Sequence, residues 1–263
     1  MSINFDQLKN IYNTTGGVPD TEITLCYSKK EVFIKPLKVK DKKDLLKAIE
    51  TKNEDIVNKK LDEIIIKYVE AKDGSNIDYE KLSTAERHQI MVYIRIAAGG
   101  DTANIVHQCP NCEVVNRNIQ YDLNNLYLKE YNLNKEDAMI PVGNGSIKIE
   151  LGPISRTIER EVEKYIKVNK IKSESEKQLA LVASHIKEVW IDNDDGETDK
   201  VDFKNIEEKV QFFDSLQGRD SNNVIEKMNE CLDFGIKMPF KFVCDSCGYS
   251  SEEEVNVAAF FIS

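Results

Sequence analysis

The sequence predicts an α+β protein in which strands from both ends of the chain meet at two CxxC turns, with a mainly helical insertion between them. Three observations carry this. Cys109-Pro110-Asn111-Cys112 and Cys244-Asp245-Ser246-Cys247 are each flanked by short runs of strand-forming residues. The intervening residues 113–243 place most of their apolar side chains at three- and four-residue spacings. A composition of 41% hydrophobic and 31% charged residues supplies enough apolar matter to offset chain entropy, so the chain folds. Its 263 residues suit one domain with a large insertion or two domains.

Residues 1–20 read as a flexible arm, because Thr14-Thr15-Gly16-Gly17-Val18-Pro19 is turn chemistry. Residues 21–125 form an amino-terminal α+β part with the first CxxC knuckle. It opens on a hairpin, with Ile23, Leu25 and Tyr27 alternating before Ser28-Lys29-Lys30 and Val32, Phe33 and Ile34 after it. Asp41 is placed to cap a helix carrying Leu45, Leu46 and Ile49, and a second helix presents Ile56, Leu61, Ile64, Ile65 and Tyr68. Ser83-Thr84-Ala85-Glu86 is a capping box that starts a helix running to Gly99-Gly100. Ile105-Val106 leads into the first cysteine pair, and Val114-Val115 with Ile119 and Tyr121 leads out.

Residues 126–235 are the mainly helical insertion. Gly143-Asn144-Gly145 predicts a hairpin turn, and residues 154–168 and 173–190 predict helices. An acidic loop at 192–202 precedes two more helices, at 203–216 and 220–234, ended by Gly218 and Gly235. Residues 236–263 hold the second knuckle and a carboxy-terminal strand that closes on the first. The apolar residues Val257, Phe260, Phe261 and Ile262 at the chain end need cover, either from the chain's own core beside the second knuckle or, as a docking element, from a neighbouring subunit.

The six cysteines carry the chemistry. Met1-Ser2-Ile3-Asn4-Phe5-Asp6 lacks the basic and apolar regions of a secretory signal, so a reducing cytoplasm is expected, where paired cysteines favour a metal over disulfides. Two residues between paired cysteines let one tight turn bring both sulfurs to an ion about 2.3 Å away, and four thiolates suit tetrahedral zinc. Cys109, Cys112, Cys244 and Cys247 are therefore the expected ligands of one zinc, and the hairpins the halves of a zinc ribbon. Four protein ligands leave no position for an activated water, so the metal is expected to be structural. Gly248 follows the second pair where a knuckle turn needs a positive φ; Glu113 holds that place in the first pair and leaves its turn geometry open. His107 is expected to be a surface residue of the flanking strand, and His88 and His185 ordinary helix residues. Cys26 and Cys231 read as small buried hydrophobes. A calcium reading of Asp192-Asn193-Asp194-Asp195-Gly196-Glu197 fails, since aligning Gly196 to an EF-hand loop puts Ile191 at the first ligand position.

Charge bounds the partners. Thirty-six basic residues against forty-six acidic ones give a net charge of −10, and only six of the basic residues are Arg, so nucleic-acid binding is disfavoured. The longest apolar run, at residues 257–262, is far below the ~18 residues of a membrane span. No Walker loop, nucleophile elbow or dinucleotide fingerprint occurs, so neither an enzyme activity nor a small-molecule substrate is expected. A zinc-ribbon module in transcription or nucleic-acid processing is the alternative class. Against it, the second knuckle sets Lys241 among Asp245, Glu252, Glu253 and Glu254, which would repel phosphate.

Three features together resemble a known family. The helix ending Tyr93-Ile94-Arg95-Ile96-Ala97-Ala98-Gly99, the CxxC about ten residues later, and Phe240-Lys241-Phe242-Val243-Cys244-Asp245-Ser246-Cys247-Gly248 before Phe260-Phe261 look like the baseplate hub or hub-assembly proteins of contractile-tailed bacteriophages. The resemblance spans residues 20–263. It implies a non-enzymatic role in the host cytoplasm during assembly or in the virion tail baseplate, with other tail or hub proteins as partners.

Overall fold

The computed structural model describes residues 20–51, 53–75, 77–192 and 198–255. The expected arm, save Asp20, and the apolar chain end with Val257, Phe260, Phe261 and Ile262 lie outside the described residues. What is described is mixed helix and sheet, as the sequence predicts.

The amino-terminal part begins with β1 (Thr21–Thr24) and β2 (Glu31–Ile34), an antiparallel hairpin joined on its far side by β3 (Val69–Ala71). Between them run α1 (Val39–Glu50) and α2 (Glu54–Tyr68), the latter capped by Asn53, whose side chain accepts from the amides of Asp55 and Ile56. Asp41 does not cap α1. The helix starts two residues earlier, and the buried Asp41 carboxylate instead accepts from Tyr68 Oη at 2.6 Å and from Lys67 Nζ at 2.8 Å. Those bonds hold its pKa below the usual carboxylate range and tie α1 to α2.

The long helix α3 (Thr84–Gly99) opens with the expected capping box. Glu86, fully buried, does more than close that box. Its carboxylate also accepts from the Ser28 amide at 2.7 Å, so one side chain fixes both the helix start and the first hairpin turn. Glu86→Ala would leave the exposed Ser28 amide and the buried Ser83 amide and hydroxyl without this acceptor, and a buried orphan costs about 1–3 kcal/mol. A urea titration is expected to show at least one such increment lost; an unchanged midpoint would refute the assignment.

After α3 come the knuckle hairpin β4 (Thr102–Gln108) and β5 (Val115–Asp122), then β6 (Tyr127–Lys129). The middle contains β7 (Met139–Val142), β8 (Ile147–Leu151), α4 (Arg156–Val168), α5 (Glu174–Ser184), β9 (Ile186–Asp192), β10 (Thr198–Val201), α6 (Ile206–Asp214) and α7 (Gly218–Leu232). The predicted helix at 173–190 is thus half helix and half strand. Leu151 pairs with Ile186 and Glu150 with Glu188, so Lys187 is an extra bulged residue. The buried residues Ile186 and Val189 consequently fall three apart, which mimics helical spacing. Strands β7 to β10 form an antiparallel sheet of order β10-β9-β8-β7, so the middle carries a four-stranded sheet beside its helices. Gly218 opens α7 instead of ending α6, which Ser215 terminates.

Returning strand β11 (Gly235–Lys237) pairs with β6, so the chain enters and leaves the middle through adjacent strands. It then forms the second knuckle hairpin, β12 (Pro239–Val243) and β13 (Ser250–Glu254). Two main cores result. One gathers Leu25, Ile34, Ile64, Ile90, Ile105 and Tyr121 with the late residues Ile236, Met238 and Val255; the other gathers Val142, Ile149, Leu151, Ile186, Val189, Phe213 and Val224.

A largely buried ion network ties the amino-terminal helices to α4, which packs in a smaller cluster of its own through Val162. Asp62 of α2 accepts from Arg156 Nε at 3.3 Å and Arg160 Nη2 at 3.0 Å, both on α4, while Arg87 of α3 pairs with Glu159 of α4. Arg156 also bonds Glu163 at 2.9 Å.

Candidate metal centre

Each cysteine pair sits in the turn of its own two-stranded hairpin, and the two turns share one geometry. The Cys109 amide donates to Val114 O at 2.9 Å and the Glu113 amide to Cys109 O at 2.9 Å. In the second turn the Cys244 amide donates to Tyr249 O at 2.8 Å and the Gly248 amide to Cys244 O at 3.0 Å. Glu113 at φ 59° and Gly248 at φ 72° occupy the same left-handed place, so the first knuckle makes the turn despite its side chain. The hairpins pack through Ile119, Phe240 and the fully buried Phe242.

This packing brings together the four cysteines expected as ligands. Their sulfurs all lie within 4.8 Å of one another. Cys109 Sγ is 3.7 Å from Cys247 Sγ, and Cys112 Sγ is 3.6 Å from Cys244 Sγ. A tetrahedron with bonds of about 2.3 Å to sulfur has edges of about 3.8 Å, so the cluster suits a tetrahedral ion such as zinc. The close pairs join one knuckle to the other rather than linking the cysteines within a knuckle. Cys109 and Cys244 are buried, Cys112 is half-buried and Cys247 is exposed.

As thiols the four are not equivalent. The Cys247 amide, opposed by desolvation and helped by the Ser246 amide and Asn116, pulls Cys244 down to about 6. The Tyr249 amide and Asn111 lower Cys247 as well. For Cys112 the Val114 amide acts downward, but desolvation and the other three sulfurs outweigh it and push the thiol up to about 12.

Two asparagines, missed in the sequence, line the cluster. Asn111 Nδ2 donates to Cys247 Sγ at 3.6 Å, and the buried Asn116 donates to Cys244 Sγ at 3.6 Å. His107 is not a surface bystander: its ring lies 4.4 Å from that of Phe242 and 5.7 Å from that of Phe240, beside the cluster but outside it.

The remaining singled-out residues lie elsewhere. Cys26 and Cys231 are buried as expected, and burial pushes the Cys26 thiol up to about 12. His185 ends α5 and pairs its Nδ1 with Gly152 O at 2.9 Å. Together with His88 of α3 it lines a groove of about 770 Å³ at the seam between the two cores, a groove that none of the four clustered cysteines lines. Burial lowers the pKa of His185. Among the described residues no helix is long and apolar enough to cross a membrane.

Comparison with curated proteins returned no match, nor did comparison with solved structures. A family model described as T4 bacteriophage base plate protein matches residues 18–262, and so takes in both knuckles, the middle segment between them and the helix that leads to the first cysteine pair. The chain belongs to the T4 bacteriophage base plate protein family.

Proposed function

We propose that this baseplate protein is a non-enzymatic structural or assembly component of the tail hub, acting through protein–protein contacts and stabilised by one structural zinc. The observation that carries the reading is a family match over residues 18–262 on a chain that gathers four cysteine sulfurs in one place. Cys109, Cys112, Cys244 and Cys247 are the ligands, and the two hairpins are the halves of a zinc-ribbon-like unit. Four thiolates fill a tetrahedral shell, so the metal joins segments of chain and performs no chemistry on a substrate.

In this reading residues 126–235 are an insertion into a unit made of 21–125 and 236–263. The pairing of β6 with β11 supports it, because an inserted segment needs its two ends adjacent. The partners are other tail or baseplate hub proteins, met in the host cytoplasm during assembly and retained in the virion tail baseplate. A phage whose copy of this reading frame carries an early stop codon is expected to yield no complete baseplates by electron microscopy. Intact baseplates in such particles would overturn the reading.

The net charge of −10 predicts no useful affinity for DNA or RNA at physiological salt. Gel-shift titrations are expected to show no complex at micromolar protein. Salt-sensitive, sub-micromolar binding would favour the nucleic-acid class of zinc ribbons instead.

A further inference from the structure

We propose that Asn116 is the positioning residue that locks the second knuckle onto the first and presents Cys244 to the metal, an inference that rests on the zinc reading. Three bonds radiate from this one side chain. Its Nδ2 donates to Val114 O at 3.1 Å within its own knuckle and to Cys244 Sγ at 3.6 Å across the interface. Its Oδ1 accepts from the Asp245 amide at 3.0 Å, also across the interface. A sulfur and the next residue's backbone amide in the second knuckle are thus both held by a residue 128 positions earlier.

The strand is bent to put Asn116 there. Along β5 the inward side chains are Tyr121 and Ile119, and plain alternation would next turn Arg117 inward. The register between β4 and β5 instead slips: Ile105 faces Ile119, but His107 faces Asn116, which leaves one extra residue in β5. Beyond this bulge Asn116 is inward and only 5% exposed, while Arg117 is exposed. A guanidinium in the inward place would have no acceptor role for the Asp245 amide, whereas a carboxamide offers both a donor and an acceptor.

The function this supports is pre-assembly. The cysteine pairs are separated by residues 113–243, so closing the site from a free chain carries a loop-closure cost. Asn116 links the knuckles through groups other than the metal, and so lowers the part of that cost left for the metal to meet. Asn111, which reaches Cys247 from an exposed position, is replaceable by water and carries less of this role.

Cobalt(II) titration of the full chain, with absorbance in the thiolate charge-transfer and d–d regions and a competing chelator to set affinity, tests the proposal. Asn116→Ala and Asn116→Asp are expected to bind cobalt about 10- to 100-fold more weakly than the wild type, the range found for residues that orient metal ligands. Asn111→Ala is expected to lose less. Asn116→Asp keeps size and an acceptor for Asp245 but removes the donor to sulfur, so it decides the matter if the alanine variant fails to fold. Wild-type affinity and spectrum in the Asp variant would overturn the positioning role. A wild-type chain that takes up no cobalt or zinc would overturn the metal reading itself, and this inference with it.

Discussion

Cys109→Ser and Cys244→Ser are expected to abolish stoichiometric zinc binding to the same extent and to lower the melting temperature by similar amounts. The two residues come from different knuckles and are the two buried cysteines of the cluster, so under the one-zinc proposal each is an inner ligand of the same ion. In zinc-finger peptides a structural zinc contributes about 10–16 kcal/mol of apparent binding free energy, comparable with the whole stability of a typical domain at about 5–15 kcal/mol. Loss of one thiolate should therefore release the metal rather than weaken it slightly. The hairpins bury little besides Phe242 and the cysteines in their own cluster, so they have no independent core to fall back on. Chelation of the wild type should reproduce both phenotypes, and atomic absorption with differential scanning fluorimetry provides the measurements. Zinc retained by either variant at the wild-type stoichiometry would rule out one shared site.

The cysteine cluster was legible because two CxxC pairs, each between strand-forming runs, have the spacing at which one tight turn brings two sulfurs to a common point, a local pattern that the length of chain between the pairs does not obscure. The capping box at Ser83 was legible for the same reason: its donors and acceptors are local. What stayed hidden depends on register between distant strands. The bulge at Lys187 spaces Ile186 and Val189 as a helix would, so the pattern pointed to the wrong element. The bulge in β5 reverses which of Asn116 and Arg117 faces inward, so the residue that bridges the knuckles carried no sequence signal. Glu113 misled in the opposite direction. Its φ of 59° shows that the hydrogen bonds of the turn outweigh the modest cost of a left-handed non-glycine residue. Asp41 had the composition of a cap but is the third residue of its helix, where Lys67 and Tyr68, more than twenty residues away in sequence, claim it.

Asp62→Ala is expected to destabilise the protein by about 3–5 kcal/mol, the usual cost of removing one member of a buried ion pair. Asp62 is 4% exposed and stands where Arg87, Arg156 and Arg160 converge from α3 and α4. Its Oδ1 has no hydrogen-bond partner among the described residues, and the nearest guanidinium nitrogen there, Arg87 Nη1, is 3.8 Å away. The pairing is thus imperfect on one side, and the carboxylate's worth lies in being the buried anion on which three guanidinium groups converge, each of which has a further carboxylate partner in Glu159 or Glu80. Arg156, at 4% exposure, would retain Glu159 and Glu163 but lose its contact with α2, leaving Lys167–Asp55 as an ion pair between the two helices at the surface. Because this network joins the amino-terminal part to the middle segment, the variant is expected to melt in two resolved transitions where the wild type melts in one. Replacing both partners, in Asp62→Leu with Arg156→Met, should recover part of the loss, since it removes the most deeply buried of the three cations together with the carboxylate it faces. Calorimetry of the two variants decides between an electrostatic clamp and simple filling of space: an Asp62→Ala protein within about 1 kcal/mol of wild type, melting in a single transition, would show that the seam is held by its apolar contacts alone.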